Sequence, residues 1–235
     1  MGGAVRLRQP KTGYRAGLDA ALLAASLGLQ AGERGFEAGC GVGAVLLQAA
    51  ARSPHAQLVG MERDPASLAL AEANIAMNAL QDRVRAVEGE VGRRFPALGL
   101  APFDVAFANP PFFDDPGALR APSPERMGAW MAEDGLAAWT AFLLKAVREG
   151  GRVVVVHRAD RLADLLAGLG QGGGAFRIRP VHAFAGRPAK RVLVQATKAG
   201  RGPLALLPPL VLREGDAGRP EADLVLRGEA DLGWG

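Results

Sequence analysis

At 235 residues, with 49% hydrophobic side chains and a mean hydropathy of +0.09, the chain can bury one sizeable α/β core without disulfide or metal staples, and a second domain is not expected. A lone Cys40 and three scattered His exclude an internal disulfide and a clustered metal site, so a reducing compartment and metal-free chemistry follow, while the lack of any 18-residue uncharged apolar run or signal-peptide core makes a soluble, cytoplasmic protein the expectation. The net charge of +4 and pI near 9.8 suit a polyanionic partner, although an Ala-, Gly- and Arg-rich composition with only four Lys fits coding bias equally well.

In chain order, Leu18 to Leu29 patterns as a helix, followed by a strand at Arg34 to Glu37, a helix from Gly43 to Arg52, a strand at Gln57 to Glu62 and a helix from Pro65 to Met77. The βαβ rhythm continues with strands at Val84 to Glu88 and Phe103 to Ala108, a helix from Leu136 to Arg148, a strand at Arg152 to His157 and a helix from Asp160 to Leu169. Strands without polar alternation, such as Val153-Val154-Val155-Val156, belong inside a parallel sheet covered on both faces. Gly168 to Gly174 reads as a loop; Phe176 to Phe184 and Arg191 to Lys198 then read as a hairpin on one sheet edge, turning at Gly186-Arg187-Pro188. Leu204 to Leu212 reads as one more edge element. Residues Asp114 to Asp134, rich in Pro, Ala and charge, form a long connection placed where an active-site lid would sit. The expectation is one α/β domain with a seven-stranded, mostly parallel sheet and an antiparallel C-terminal hairpin, divided into an N-terminal helix that covers the site (1–30), a Rossmann-like core (31–200) and a C-terminal extension (201–235).

Between the first strand and the next helix lies Glu37-Ala38-Gly39-Cys40-Gly41-Val42-Gly43, a glycine loop that lets backbone approach a ligand at a helix N-terminus. Such a loop alone would serve a dinucleotide, another nucleotide or a plain tight turn. Glu37 narrows the choice, because a carboxylate at the loop mouth repels a pyrophosphate and attracts a ligand carrying an ammonium or sulfonium, and S-adenosylmethionine carries both. Glu62 ends the second strand 19 residues after Gly43, a spacing suited to an acid that accepts both ribose hydroxyls. Glu90 is a candidate acceptor for the adenine amino group of the cofactor, with Glu88 an equally charged neighbour.

Asn109-Pro110-Pro111-Phe112 follows the apolar run that ends at Ala108. Asn-Pro-Pro alone can be a turn. Its place beyond the carboxyl end of a buried strand argues for chemistry, since open α/β sheets bind ligands there. An amino group conjugated to a ring or carbonyl has its lone pair drawn into the π-system. The Asn109 side-chain oxygen and the Pro110 carbonyl can accept its two N–H bonds and restore that lone pair, while Phe112 stacks on the flat substrate. Pro110 and Pro111 stiffen the corner so that the carbonyl is aimed before substrate arrives, and Phe113 lines either the pocket or the core.

Glu37-x-Gly39-x-Gly41-x-Gly43, Glu62 and Asn109 to Phe112, in this order, resemble the class I S-adenosylmethionine-dependent methyltransferases that modify amino groups. Gln9 to Ala20, Arg187 to Leu193 and Pro208 to Leu212 are similar to the bacterial tRNA(Val) adenine-N6 methyltransferase family. The resemblance implies methylation of the adenine beside the anticodon, Gly17 and Asp19 near the methionine part of the cofactor, and Asn109 bordering it. Phe112 stands where Tyr is common, which keeps stacking and loses a hydroxyl. The basic groups placed to hold RNA phosphates are Lys11, Arg15, Arg120, Arg126, Arg187, Lys190 and Arg191. Alternative acceptors are guanine N2 in RNA and a protein glutamine; a non-catalytic cofactor- or RNA-binding module and a nicotinamide oxidoreductase are the readings of another class. Glu37 and the lack of a proton-donor set disfavour the oxidoreductase.

Overall fold

A strand segment that is apolar at every position has two faces to hide, and Val153-Val154-Val155-Val156 hides both: all four are fully buried. Val153 and Val155 join one apolar layer and Val154 and Val156 the other, as a period of two requires. A computed structural model describes residues 3–11, 17–111 and 135–235. Phe112, Phe113, Arg15, Arg120, Arg126 and the expected lid of residues 114–134 lie outside the described residues.

The strands are β1 (Arg34–Ala38), β2 (Gln57–Glu62), β3 (Val84–Glu88), β4 (Phe103–Ala108), β5 (Val147–Arg158), β6 (Gly173–His182) and β7 (Arg191–Lys198), in the order β3-β2-β1-β4-β5-β7-β6. The first five run parallel and β7 is antiparallel to both β5 and β6. Among the described residues the sheet has nine strands rather than the expected seven, because β8 (Ala205–Leu206) and β9 (Leu210–Val211) each pair with β6. Pro208 and Pro209, which cannot donate to a ladder, separate these two short pieces.

Helices α1 (Leu18–Ala25), α2 (Ala44–Arg52) and α3 (Pro65–Met77) pack on one sheet face, where Leu22, Leu23, Leu46, Leu47 and Ile75 meet Val105 and Phe107. Helices α4 (Leu136–Ala146) and α5 (Leu162–Leu169) cover the other face, where Trp139, Phe142, Leu143 and Leu165 meet Phe36, Ala106 and Ala108. The Asp64 side chain caps α3 by accepting from Ser67 N–H at 2.9 Å, with Pro65 in the first turn.

Several boundaries differ from the patterning for local reasons. Helix α1 stops at Ala25 rather than Leu29, since the Ser26 hydroxyl donates back to the Leu23 carbonyl and Gly28 adopts φ +53. Helix α4 stops at Ala146 because Val147 already pairs with Phe103. The Gly-rich stretch is only partly loop: Gly173 and Gly174 open β6 and pair with Lys198 and Thr197.

The last 35 residues add a two-stranded ribbon, β10 (Arg213–Glu214) with β11 (Ala217–Gly218), and a helix α6 (Pro220–Arg227). This tail folds back on α1 and α2. Trp234 Nε1 donates to the Ser26 carbonyl at 2.6 Å, and Arg52 donates to the Val225 and Ala230 carbonyls at 2.7 Å each.

Candidate functional site

The strand order reverses between β1 and β4, and the carboxyl ends of these two neighbours frame the crevice in which open α/β sheets hold ligands. The register fixes what meets there: Glu37 is level with Phe107, two residues before Asn109, and Glu62 is level with Glu88. Asn109 is 9% exposed, Pro110 is buried and Pro111 is half-buried, so the corner sits at the crevice floor.

The loop joining β1 to α2 needs its glycines. Gly39, Gly41 and Gly43 all have positive φ, at +68, +56 and +83, a region costly for any residue with a Cβ. Gly43 is the residue from which α2 starts, and Leu47 N–H donates back to it at 3.0 Å. A Cβ on Gly39 would lie 2.6 Å from the Trp139 ring, whereas one on Gly41 would meet nothing within 4 Å. Gly41 is therefore where a ligand can approach the backbone.

The two expected acids hold this loop. Glu37 is only 2% exposed and accepts from Leu46 N–H in the first turn of α2 at 3.1 Å, so its carboxylate lies beneath the loop rather than at its mouth, where the helix dipole favours it. Glu62 accepts from Gly41 N–H at 2.8 Å through one oxygen and from Arg63 and Asp64 N–H at 2.9 Å through the other. Three amides leave about one of a carboxylate's four acceptor positions for a ligand hydroxyl. Cys40, between them, has its thiol pushed up by burial and then by Glu37 and Glu62, which keeps it protonated and unreactive. Glu90, just past β3, pairs with Arg93 at 2.9 Å in an exposed ion pair. The open backbone at Gly41 and the two carboxylates of Glu37 and Glu62 behind it fit a nucleoside ligand that carries positive charge.

Gly17 precedes α1, and Asp19 is bound through both oxygens by Arg191 Nε at 3.0 and 3.1 Å. Two residues expected in different roles, one beside cofactor and one on phosphate, are thus brought together as a bridge from α1 to β7. Lys11, Arg187 and Lys190 are exposed. Sequence patterning missed three residues here. Trp139, 7% exposed, walls the loop through Gly39. Asn74, fully buried in α3, donates to the Val42 carbonyl of the loop at 2.9 Å. Phe184, 44% exposed, stands beside the basic hairpin turn. A buried Asn inside a helix was the one legible signal, since Asn there is unfavourable unless its amide is used. Among the described residues no group of three or more His, Cys, Asp or Glu could hold a metal, and no helix is long and apolar enough to cross a membrane.

The family model described as methyltransferase small domain matches residues 15–121. The tRNA1(Val) (adenine(37)-N6)-methyltransferase of Porphyromonas gingivalis is 30% identical over 158 residues, 64% of this chain and 61% of that protein. The protein of the same name from Bacteroides thetaiotaomicron is 32% identical over 161 residues, 65% of this chain and 64% of that protein. The chain thus spans somewhat under two thirds of the length of these relatives. A predicted O-methyltransferase from Agrobacterium tumefaciens superposes with a TM-score of 0.77 at 24% identity, covering 92% of this chain and 99% of that one, a likeness of fold. Strand order and structural likeness agree on a Rossmann-like fold, residues 15–121 match the methyltransferase small domain model, and the sequence resembles the bacterial tRNA(Val) adenine-N6 methyltransferases.

Proposed function

We propose that the chain transfers a methyl group from S-adenosylmethionine to the N6 amino group of an unpaired adenine in RNA, a tRNA near its anticodon, in the cytoplasm. The observation that carries this reading is the half-hidden corner Asn109-Pro110-Pro111 at the carboxyl end of β4, next to a glycine loop open at Gly41. The names of the P. gingivalis and B. thetaiotaomicron relatives support adenine in tRNA as the acceptor.

S-adenosylmethionine, when bound, would supply a methyl group on a sulfonium; its transfer would form the N–C bond as the C–S bond broke, with sulfur leaving as a neutral thioether and the surplus N–H proton passing to water. The protein's share is placement. Asn109 accepts one N–H of the amine and the Pro110 carbonyl the other, which favours a tetrahedral nitrogen whose lone pair is out of conjugation with the ring, and Phe112 stacks on the base. Glu62 accepts from a ribose hydroxyl with its remaining position, and Gly41 lets the loop backbone close on the ligand. With so good a leaving group, positioning contributes most of the acceleration. A stacked adenine cannot present its amine, so an anticodon loop, whose bases are splayed at low cost, is the fitting substrate.

Asn109→Ala tests the reading. Turnover on bulk tRNA from a strain lacking the gene should fall by about 100-fold or more, while cofactor affinity measured by calorimetry stays near parental. Mass spectrometry of digested product should show N6-methyladenosine. N2-methylguanosine, or label in protein glutamine with none in RNA, would replace this acceptor with an alternative one. The glutamine reading has a point in its favour in the release factor glutamine methyltransferase of Geobacter sulfurreducens, 36% identical over 77 residues, but that match covers 33% of this chain.

A further inference from the structure

Of the three asparagines in the chain, two are spent on the backbone of a neighbouring segment. Asn78 accepts from Arg6 N–H at 2.9 Å and donates to the Arg6 carbonyl at 2.7 Å. One turn earlier on α3, Asn74 accepts from Arg8 N–H at 2.8 Å and donates to the Arg8 carbonyl at 2.9 Å. A side-chain amide that both accepts from and donates to one residue's main chain does what a neighbouring strand does. It holds residues 5–9 extended and fixes which side chains face inward.

The outcome is a strict alternation: Val5 and Leu7 pack on the core, while Arg6 and Arg8 are exposed, with Lys11 exposed further on. Because Arg6 meets the end of α3 and Arg8 a point one turn nearer its start, the segment climbs toward the sheet edge where β2 and β4 end. Neither arginine nor Lys11 pairs with an acid among the described residues; the Arg6 guanidinium donates to the Met77 carbonyl at 3.2 Å, which leaves its other N–H groups for a phosphate. Other arginines do: Arg191 with Asp19, Arg152 with Glu33, Arg148 with Asp104 and Arg158 with Asp160.

We propose that this pinned segment is a phosphate rail for the RNA: Arg6, Arg8 and Lys11 grip successive backbone phosphates of the strand whose reactive base enters beside Asn109. The inference rests on the RNA reading above and extends it to two residues outside the methylation corner. Arg6 and Arg8 are alternate residues of an extended segment and so lie about 6.6 Å apart, which lets them serve adjacent phosphates of one strand, with Lys11 three residues further along. Rigidity adds to this, since the guanidinium groups are carried on a backbone already ordered by Asn74 and Asn78, so less freedom is lost on binding.

The test is the double variant Arg6→Gln/Arg8→Gln of the full chain. The asparagine clamps grip main chain only, so they survive it. Binding of bulk tRNA should weaken on the order of tenfold, and the slope of log affinity against log salt should become shallower by about 1.4 to 1.8. Cofactor affinity should stay parental, and stability should fall by no more than the one exposed hydrogen bond from Arg6 to the Met77 carbonyl. The matched control Arg85→Gln/Arg201→Gln removes the same charge from exposed positions toward the opposite sheet edge and should bind tRNA nearly as the parent does. Parental RNA affinity and slope in the first variant, or equal losses in both, would overturn the rail while leaving the RNA reading intact. A parent protein that binds no tRNA would instead defeat the RNA reading itself.

Discussion

Gly39 and Gly41 stand two apart in one loop, both with left-handed backbone, yet they answer to different neighbours. A methyl on Gly39 collides with the Trp139 ring at 2.6 Å, and a methyl on Gly41 points into open space. Gly39→Ala should therefore destabilise the fold by about 2 to 4 kcal/mol, strain plus overpacking, and Trp139→Leu in the same chain should recover part of that. Gly41→Ala should cost only about 1 to 2 kcal/mol of stability and act mainly on cofactor affinity. Denaturant titration beside calorimetric cofactor binding separates the two, and equal loss of stability at both positions would contradict the geometry. The glycine spacing was legible in the sequence; that an indole on a helix 100 residues away walls one of them was not.

At the scale of elements, α3 does more than cross from β2 to β3. Asn74 grips both Arg8 and the Val42 carbonyl, so one fully buried amide ties the N-terminal segment to the glycine loop, while Asn78 touches the segment and the helix alone. Asn74→Ala should weaken cofactor binding roughly 2- to 10-fold, the worth of one hydrogen bond, and Asn78→Ala should leave it unchanged. Identical cofactor affinities in both variants would show that the Val42 contact does not shape the loop. Helix α6 teaches a second lesson about elements. Pro220 in its first turn, Glu221 and Asp223 at its start and Gly228 just past its end, at φ +86, are helix start and stop signals that the Pro-interrupted tail obscured.

At the scale of the whole molecule, the edge of the sheet that bears the site gathers more positive than negative charge around one buried imidazole. His157, 3% exposed near the end of β5, is pushed down to about 4 by burial first and then by Arg161, Arg158 and Arg191. Unfolded, the imidazole titrates near its ordinary 6.5, so between pH 6.5 and about 4 it is the unfolded chain that binds the extra proton. The folded state keeps its full stability from this group above pH 6.5 and loses it as pH falls through that window, by on the order of 3 kcal/mol. Unfolding free energies measured across the window should decline in the parent and decline less in His157→Gln; parallel curves would refute the assignment.

The sequence by itself determined the architecture and where a site could form: the unbroken apolar runs required a sheet covered on both faces, glycine spacing marked the loop, and Asn109-Pro110-Pro111 marked a corner beyond β4 as the candidate for chemistry. These are local signals, carried by periodicity and by backbone-limited residue types. Only the tertiary structure decided which side chains meet. It sank Glu37 beneath the loop, bound Glu62 to three amides, joined Asp19 to Arg191 and clamped residues 6 and 8 with asparagines from α3. Such pairings join segments as far apart as Asp19 and Arg191, 172 positions. No local pattern encodes them, because a charge or an amide finds its partner only after the sheet has set the distances.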